Sequence, residues 1–337
     1  MKSFLLSVAF GLGGILLLGI ALRYIGFQEV LTVFSDFPWW SIAPVIILTG
    51  LGWVTGAWRW RRILQTLEAD APFRPLAGIH LASLAFSYIT PVVYIGGEIV
   101  RVVLSKDRLS IPAKKSFGST VIDKVLDGTV WTIMIMAGIV LFIMTVGTPD
   151  LTRAVVLAIS GLIFFAVIIF FTYFLSFQRA RVVHHILKLF KWENSHGGIF
   201  LQEVEALVMD FFQFNNRVFW EALFLSFIKI TFFWLRNIFV IALLGKGVQV
   251  VGGLILFVFF AVGYSFPIPG AIGFQEVSQI FAFSWLGFGA HTGAAFSLLV
   301  RGADIFFILA GCIFLLRWGT GLFVFHLVRK ISGGKHE

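Results

Sequence analysis

Apolar runs about as long as a bilayer is thick recur along this chain, at roughly 3–22, 39–58, 115–145, 152–176, 219–243 and 294–316. A helix needs about twenty apolar residues to cross the hydrocarbon core. Six such runs leave little chain for anything else: of 337 residues, 59% are hydrophobic and 13% charged, with mean hydropathy +0.96. No soluble domain has that balance. The loops are too short to bury a core of their own, so the sequence specifies an all-α integral membrane protein, one membrane domain over 1–337. Met1–Leu22 starts like a signal peptide, but its apolar run is of full spanning length and no A-x-A site follows, so we read it as a retained first helix.

The formal charge of +9 is a topological signal. Lys and Arg gather in the segments 59–75, 101–115 and 177–218 and after residue 316, as they do in loops facing the cytoplasm and its anionic lipid surface. Both termini are therefore expected inside, and nucleic acid is not an expected partner. Cys312 is the only cysteine, which leaves no disulfide framework and no thiolate metal cluster. His80, His184, His185 and His291 have no ligand-like spacing to carboxylates, so neither a metal nor a cofactor is expected.

One stretch does not fit simple spans. Residues 84–127 carry an apolar run broken at Pro91 and at Gly96-Gly97, followed at once by Glu98 and Arg101; the next helix bears Asp123, Lys124 and Asp127. A full crossing at 76–94 would put the basic cluster 101–115 outside, against the positive-inside rule. A re-entrant hairpin over 76–101, entering from the cytoplasm, removes the conflict. By the same reasoning 251–288, broken at Pro267, Pro269, Gly270 and Gly273, is a second hairpin, re-entrant from the outside. Irregular backbone and charge at membrane depth persist where they line a cavity or a substrate path.

The expected order is span, span, hairpin, span, and then the same again inverted: a first half over about 1–145 and a second over about 152–317. An offset of 178 residues carries Pro91 onto Pro269, Glu98 onto Glu276 and Asp123 onto Arg301. Inverted repeats with interrupted segments in matching places point to a transporter's central site. Between the halves, 177–218 holds apolar residues at helical spacing (Val204, Leu207, Val208, Phe211, Phe212), read as two interfacial amphipathic helices broken at Gly197-Gly198.

The residues expected to bind or move a substrate are Glu98, Arg101, Asp123, Lys124, Asp127, Glu276, Arg301 and Asp304, with Glu98–Lys124 and Glu276–Arg301 as ion pairs. Isolated charges at the bilayer centre cost about 2.5–3.5 kcal/mol, which pairing offsets. Lys229, Arg236 and Glu221 read as structural or snorkelling. No Walker-type phosphate loop and no G-x-S-x-G elbow occurs, so neither ATP-driven transport nor hydrolysis by a serine nucleophile is indicated.

At TPVVYIGGEIVR (90–101), IPAKKSFGSTVIDKVLD (111–127) and FPIPGAIGFQE (266–276) the sequence resembles the lysylphosphatidylglycerol synthase transmembrane region family, the flippase-like domain of the multiple peptide resistance factor. The resemblance implies translocation of a phospholipid, often aminoacylated, between the leaflets of a prokaryotic cytoplasmic membrane. It also implies stand-alone members with other lipid cargo, and this chain, ending at Glu337, reads as one without the synthase domain. The family pattern commonly has Asp-Arg where this chain has Asp123-Lys124, and a basic residue where it has Gln275. Lysine lacks the guanidinium's bidentate phosphate geometry, which points away from an aminoacyl-phosphatidylglycerol cargo. The expected partners are membrane lipids and, on a scaffold reading, a separate lipid-modifying enzyme. The other alternative is an intramembrane glycosyl- or acyl-transferase acting on a lipid carrier.

Overall fold

The computed structural model describes residues 39–89, 96–146, 182–213, 215–247, 249–264 and 268–332, together with 19–20, 23, 28, 30–32, 163, 166–167, 170 and 173. The expected spans at 3–22 and 152–176, and the breaks at Pro91 and Pro267, lie outside the described residues or at isolated positions among them. Every regular element among the described residues is helical. In chain order these are α1 (Ile42–Thr66), α2 (Phe73–Ile89), α3 (Gly96–Leu109), α4 (Ala113–Val146) and α5 (Val182–Leu189), then α6 (His196–Phe211), α7 (Arg217–Ile241), α8 (Val250–Tyr264), α9 (Phe274–Trp285) and α10 (Ala290–Ser332).

Local chemistry sets the boundaries. Pro44 and Pro75 sit in the first turns of α1 and α2, where no intrahelical donor is needed. The Ser195 hydroxyl and the Asn216 side-chain carbonyl cap α6 and α7, accepting from the Gly198 and Val218 amides. Helix α9 starts at Gly273, whose φ of 84° only glycine adopts readily, and the Glu276 carboxylate accepts from the Gly273 N–H at 2.6 Å. Two expectations are corrected. Helix α1 continues to Thr66, so Arg59, Arg61 and Arg62 are helical and not in a loop. The break in 177–218 falls at residues 190–195, and Gly197-Gly198 lie in the first turn of α6.

Among the described residues four helices are long and apolar enough to span a membrane: Ile42–Thr66, Ala113–Thr145, Arg217–Lys246 and Ala290–Trp318. Leu309, Ile313, Leu316, Met136 and Met144 present exposed apolar side chains from α4 and α10, the surface a lipid-facing helix requires. At the centre, α1 packs along α7. Around that pair, α2 packs on α3 and on α10, while α8 packs on α9 and on α4. Exchanging α1, α2, α3 and α4 for α7, α8, α9 and α10 leaves this set of contacts unchanged. Val45, Val240, Leu256, Phe283 and Phe296 form one buried cluster on one side of the assembly, and Trp60, Leu64, Leu76, Ile79 and Leu104 form another.

The α2–α10 and α4–α8 contacts each rest on a glycine. A Cβ at Gly311 of α10 would collide with the Leu81 carbonyl of α2, and one at Gly138 of α4 would meet the Leu254 carbonyl of α8. Without side chains the backbones approach closely, as small residues allow in membrane bundles, where lipid tails remove the hydrophobic drive. Gly311→Ala is therefore expected to destabilise the protein by about 1–3 kcal/mol, whereas Gly302→Ala, with no atom within 4 Å of the new methyl, is expected to be neutral. Thermal unfolding in detergent checks this; equal midpoints for the two variants would show that the α2–α10 contact is looser than described.

Candidate functional site

Two groups of buried charge form where helices of the two halves meet. The first is built on Arg59, fully buried two turns before the end of α1. Its Nε and one terminal nitrogen donate to Asp123 Oδ1 of α4, at 2.8 and 2.5 Å. The other terminal nitrogen donates to Asp127 Oδ1 at 2.6 Å and to the Ser226 hydroxyl of α7 at 2.7 Å. Asp123 and Asp127 are one turn apart, so both carboxylates face the same guanidinium. Lys229 of α7 reaches Asp127 Oδ2 at 2.7 Å, and Arg101 of α3 reaches Asp123 Oδ2 at 2.9 Å. The Arg101 guanidinium lies over the Trp60 ring, 4.2 Å from its centroid, and also donates to His80 Nδ1 of α2. A guanidinium only donates, so Nδ1 is the acceptor and the His80 proton sits on Nε2. At the edge, Lys124 pairs with Glu98 at 2.7 Å.

The second group lies where α9 and α10 meet the end of α2. Arg301 of α10 stands against Glu276, whose other oxygen caps α9. A terminal nitrogen of Arg301 donates to the Tyr88 hydroxyl and, at 2.9 Å, to the carbonyl of Gly270 in the short Pro269–Ala271 turn. Gly270 has φ of 58°, and the Tyr88 ring occupies the space a Cβ there would need. The end of α2 thus touches the turn between α8 and α9. Beside it Arg236 of α7 holds Asp304 at 2.8 Å and donates to Thr49 of α1 at 3.3 Å.

Both ion pairs expected from the sequence are present, Glu98–Lys124 and Glu276–Arg301, and Asp304 joins the second group. Arg101 pairs with Asp123, and Asp127 with Arg59 and Lys229. Of the expected breaks, Gly96 and Gly97 start α3, where Gly97 packs against Ser83 and Ser87, and Pro269, Gly270 and Gly273 shape the turn before α9. Arg59, His80 and Tyr88 were not among the residues expected at the site, and Lys229 and Arg236, read from the sequence as structural or snorkelling, are in structural ion pairs. Arg59 sits in AWRWRRI, which reads as the basic flank of a span; the clue was that the run continues apolar through Ile63 and Leu64. Lys229 lies in the middle of α7 and Arg236 two helical turns on, and both are buried and ion-paired instead of snorkelling.

The first group holds four bases (Arg59, Arg101, Lys124, Lys229) against three acids (Glu98, Asp123, Asp127), and the second two (Arg236, Arg301) against two (Glu276, Asp304). Among the described residues, the first group therefore has one more base than acid and the second is balanced. Among the described residues no three His, Cys, Asp or Glu side chains are grouped to hold a metal ion.

Long apolar helices around buried ion pairs define a multi-pass membrane protein. Residues 4–312 match the family model of the lysylphosphatidylglycerol synthase TM region, and the chain belongs to that family. It is also 24% identical over 290 residues to the UPF0104 membrane protein MJ1595 of Methanocaldococcus jannaschii, covering 83% of this chain and 85% of that protein. No solved structure matches the chain significantly.

Removing one partner of a buried ion pair leaves an uncompensated charge, at about 3–5 kcal/mol. Arg59→Met takes the shared cation from Asp123 and Asp127, leaving each only its second partner, Arg101 or Lys229, and is expected to abolish a folded, detergent-stable protein, whereas Arg62→Met, from a half-exposed pair with Glu221, is expected to be tolerated. Recovery as a monodisperse species after extraction and heating reads this out, and a stable Arg59→Met protein would mean that Arg101 and Lys229 alone satisfy the two acids.

Proposed function

We propose that this protein translocates a phospholipid or a lipid-linked headgroup between the leaflets of a prokaryotic cytoplasmic membrane, acting as a transporter and not as an enzyme. The observation that carries the reading is the placement of the charge. Two buried ionic groups sit beside helix interruptions, and in the second of them Arg301 joins Tyr88 at the end of α2 to Gly270 in the turn before α9. Charge of this kind in an apolar bundle faces a substrate path. The surplus base on the Arg59 side suits the phosphate that phospholipid headgroups share, and acyl chains stay in the surrounding lipid.

In this reading α2–α3 and α8–α9 are re-entrant hairpins inserted from opposite faces, the full chain has six spans, and both termini are cytoplasmic. The contacts that survive exchange of α1–α4 for α7–α10 support an inverted repeat, and two such halves exchange conformations to expose the site to each side in turn. Glu98, Arg101, Asp123, Lys124, Asp127, Glu276, Arg301 and Asp304 carry the polar path, with Arg59, Lys229 and Arg236 completing it. Transport is passive or ion-coupled, with Asp123 or Glu276 as proton carriers.

Reconstituted liposomes with fluorescent phospholipids, read by bleaching of the outer leaflet, test the proposal. Wild-type protein is expected to accelerate exchange over empty vesicles, Glu276→Gln to slow it by about tenfold or more, roughly 1.4 kcal/mol or more in barrier, and Glu203→Gln, in a surface pair with Lys114, to leave it unchanged. Exchange no faster than in empty vesicles, for anionic and zwitterionic headgroups alike, sinks the proposal.

A further inference from the structure

Helices α5 and α6 form a hydrogen-bonded corner. The Glu205 carboxylate of α6 accepts from the Val183 and His184 amides that open α5, at 2.6 and 3.3 Å. Gln202 of α6 donates to the Glu193 carbonyl at 2.9 Å, and its side-chain oxygen lies 3.1 Å from His184 Nδ1. The apolar face at the end of α6 is spent inside the protein, where Phe211 and Phe212 are buried in one cluster with Ile63 and Ile122. What the corner turns outward is a different set. Leu189, Phe190 and Trp192 are 79, 65 and 67% exposed, around a turn in which Lys191 takes φ of 56°. Three large apolar side chains presented together from a fixed corner are not the scattered exposure that needs no explanation.

Charge and position narrow what covers them. Lys188 and Lys191 are exposed among the three, and from 177 to 192 the chain has Arg179 and Arg181 as well and no acid. Glu193, the next residue, is partly buried, while Glu203 and Asp210 are exposed on the face of α6 that carries Ala206. The Phe200 ring of α6 meets Phe117 in the first turns of α4, with centroids 5.9 Å apart, and α7 follows α6 directly. Both α4 and α7 are long and apolar enough to span, so the corner lies near the level where two spans leave the bilayer. Leucine and phenylalanine suit the acyl boundary, tryptophan the headgroup level, and lysine the phosphates of anionic lipid. We infer that residues 188–192 are a docking surface for anionic bilayer lipid, in the leaflet at which α4 and α7 begin. Leu189, Phe190 and Trp192 enter the interface, and Lys188 and Lys191 meet the phosphates above them. Docking of this kind is independent of whether the protein moves lipid.

The full-length protein, with Cys312→Ala and a nitroxide on Leu189→Cys, tests this in nanodiscs of phosphatidylcholine alone and of an equal mixture with phosphatidylserine. Collisions of the label with oxygen, which concentrates in the acyl region, are compared with collisions with a water-soluble nickel chelate. In the mixed bilayer the ratio of oxygen to nickel collisions at position 189 is expected to exceed that of the same label on Asp210→Cys by about fivefold or more, as insertion to the acyl boundary requires. Phosphatidylcholine alone, or Lys188→Glu with Lys191→Glu in the mixture, is expected to bring the two positions within about twofold, because the attraction to anionic lipid is gone. The two lysine changes lie on the surface and are expected to leave the unfolding temperature unchanged. A label at 189 that stays as open to nickel as one at 210 in the mixed bilayer leaves the corner to a soluble partner and overturns the inference. Equal depth with and without phosphatidylserine, unmoved by the lysine changes, overturns it as well.

Discussion

The contact on which the rest depends is the Arg59 guanidinium held between Asp123 and Asp127. Desolvating three charges costs several kcal/mol each, and only close, multiple hydrogen bonds offset that. Four hydrogen bonds from one planar group reach two carboxylates and the Ser226 hydroxyl, so α1, α4 and α7 are fixed relative to one another at one point. Lys229 and Arg101 then share the outer oxygens of the same acids, which ties α3 into the set. A lysine at position 59 has a single compact ammonium and could not span both acids in this way.

In a bundle surrounded by lipid, apolar contact alone does not discriminate one helix pair from another. Polar locking and close backbone approach do so here. The glycine seats at Gly138 and Gly311 bring helices of opposite halves together, and the ionic groups sit where those helices meet the interrupted pairs α2–α3 and α8–α9. The Tyr88 ring against Gly270 is a third device of this kind, joining the end of one interrupted pair to the turn of the other.

Much of the site was legible because charge in an apolar chain is conspicuous. Glu98 with Lys124 and Glu276 with Arg301 were found as pairs, since each lies in or beside an apolar run and has one oppositely charged residue at the matching place on the following helix. Arg59 was read as part of a basic loop because it neighbours aromatic and basic residues typical of interfaces, and composition cannot tell a flank from a buried position two turns inside a helix; Lys229 and Arg236, read as structural or snorkelling, are in structural ion pairs. His80 and Tyr88 left no signal, being ordinary residues in an apolar run until packing brings Arg101 and Arg301 to them.

The sequence by itself determined that the chain is helical, that it spans a membrane repeatedly, and roughly where its helices break, because those follow from run length, hydropathy and the backbone limits of proline and glycine. Tertiary structure alone decided that Asp123 and Asp127 share Arg59 and that Arg236 holds Asp304, and that among the described residues one group of charges has a surplus base while the other is balanced. Those properties depend on distances between residues far apart in the chain, such as Arg59 and Asp123 or Tyr88 and Arg301, and a local pattern of residues carries no record of such distances.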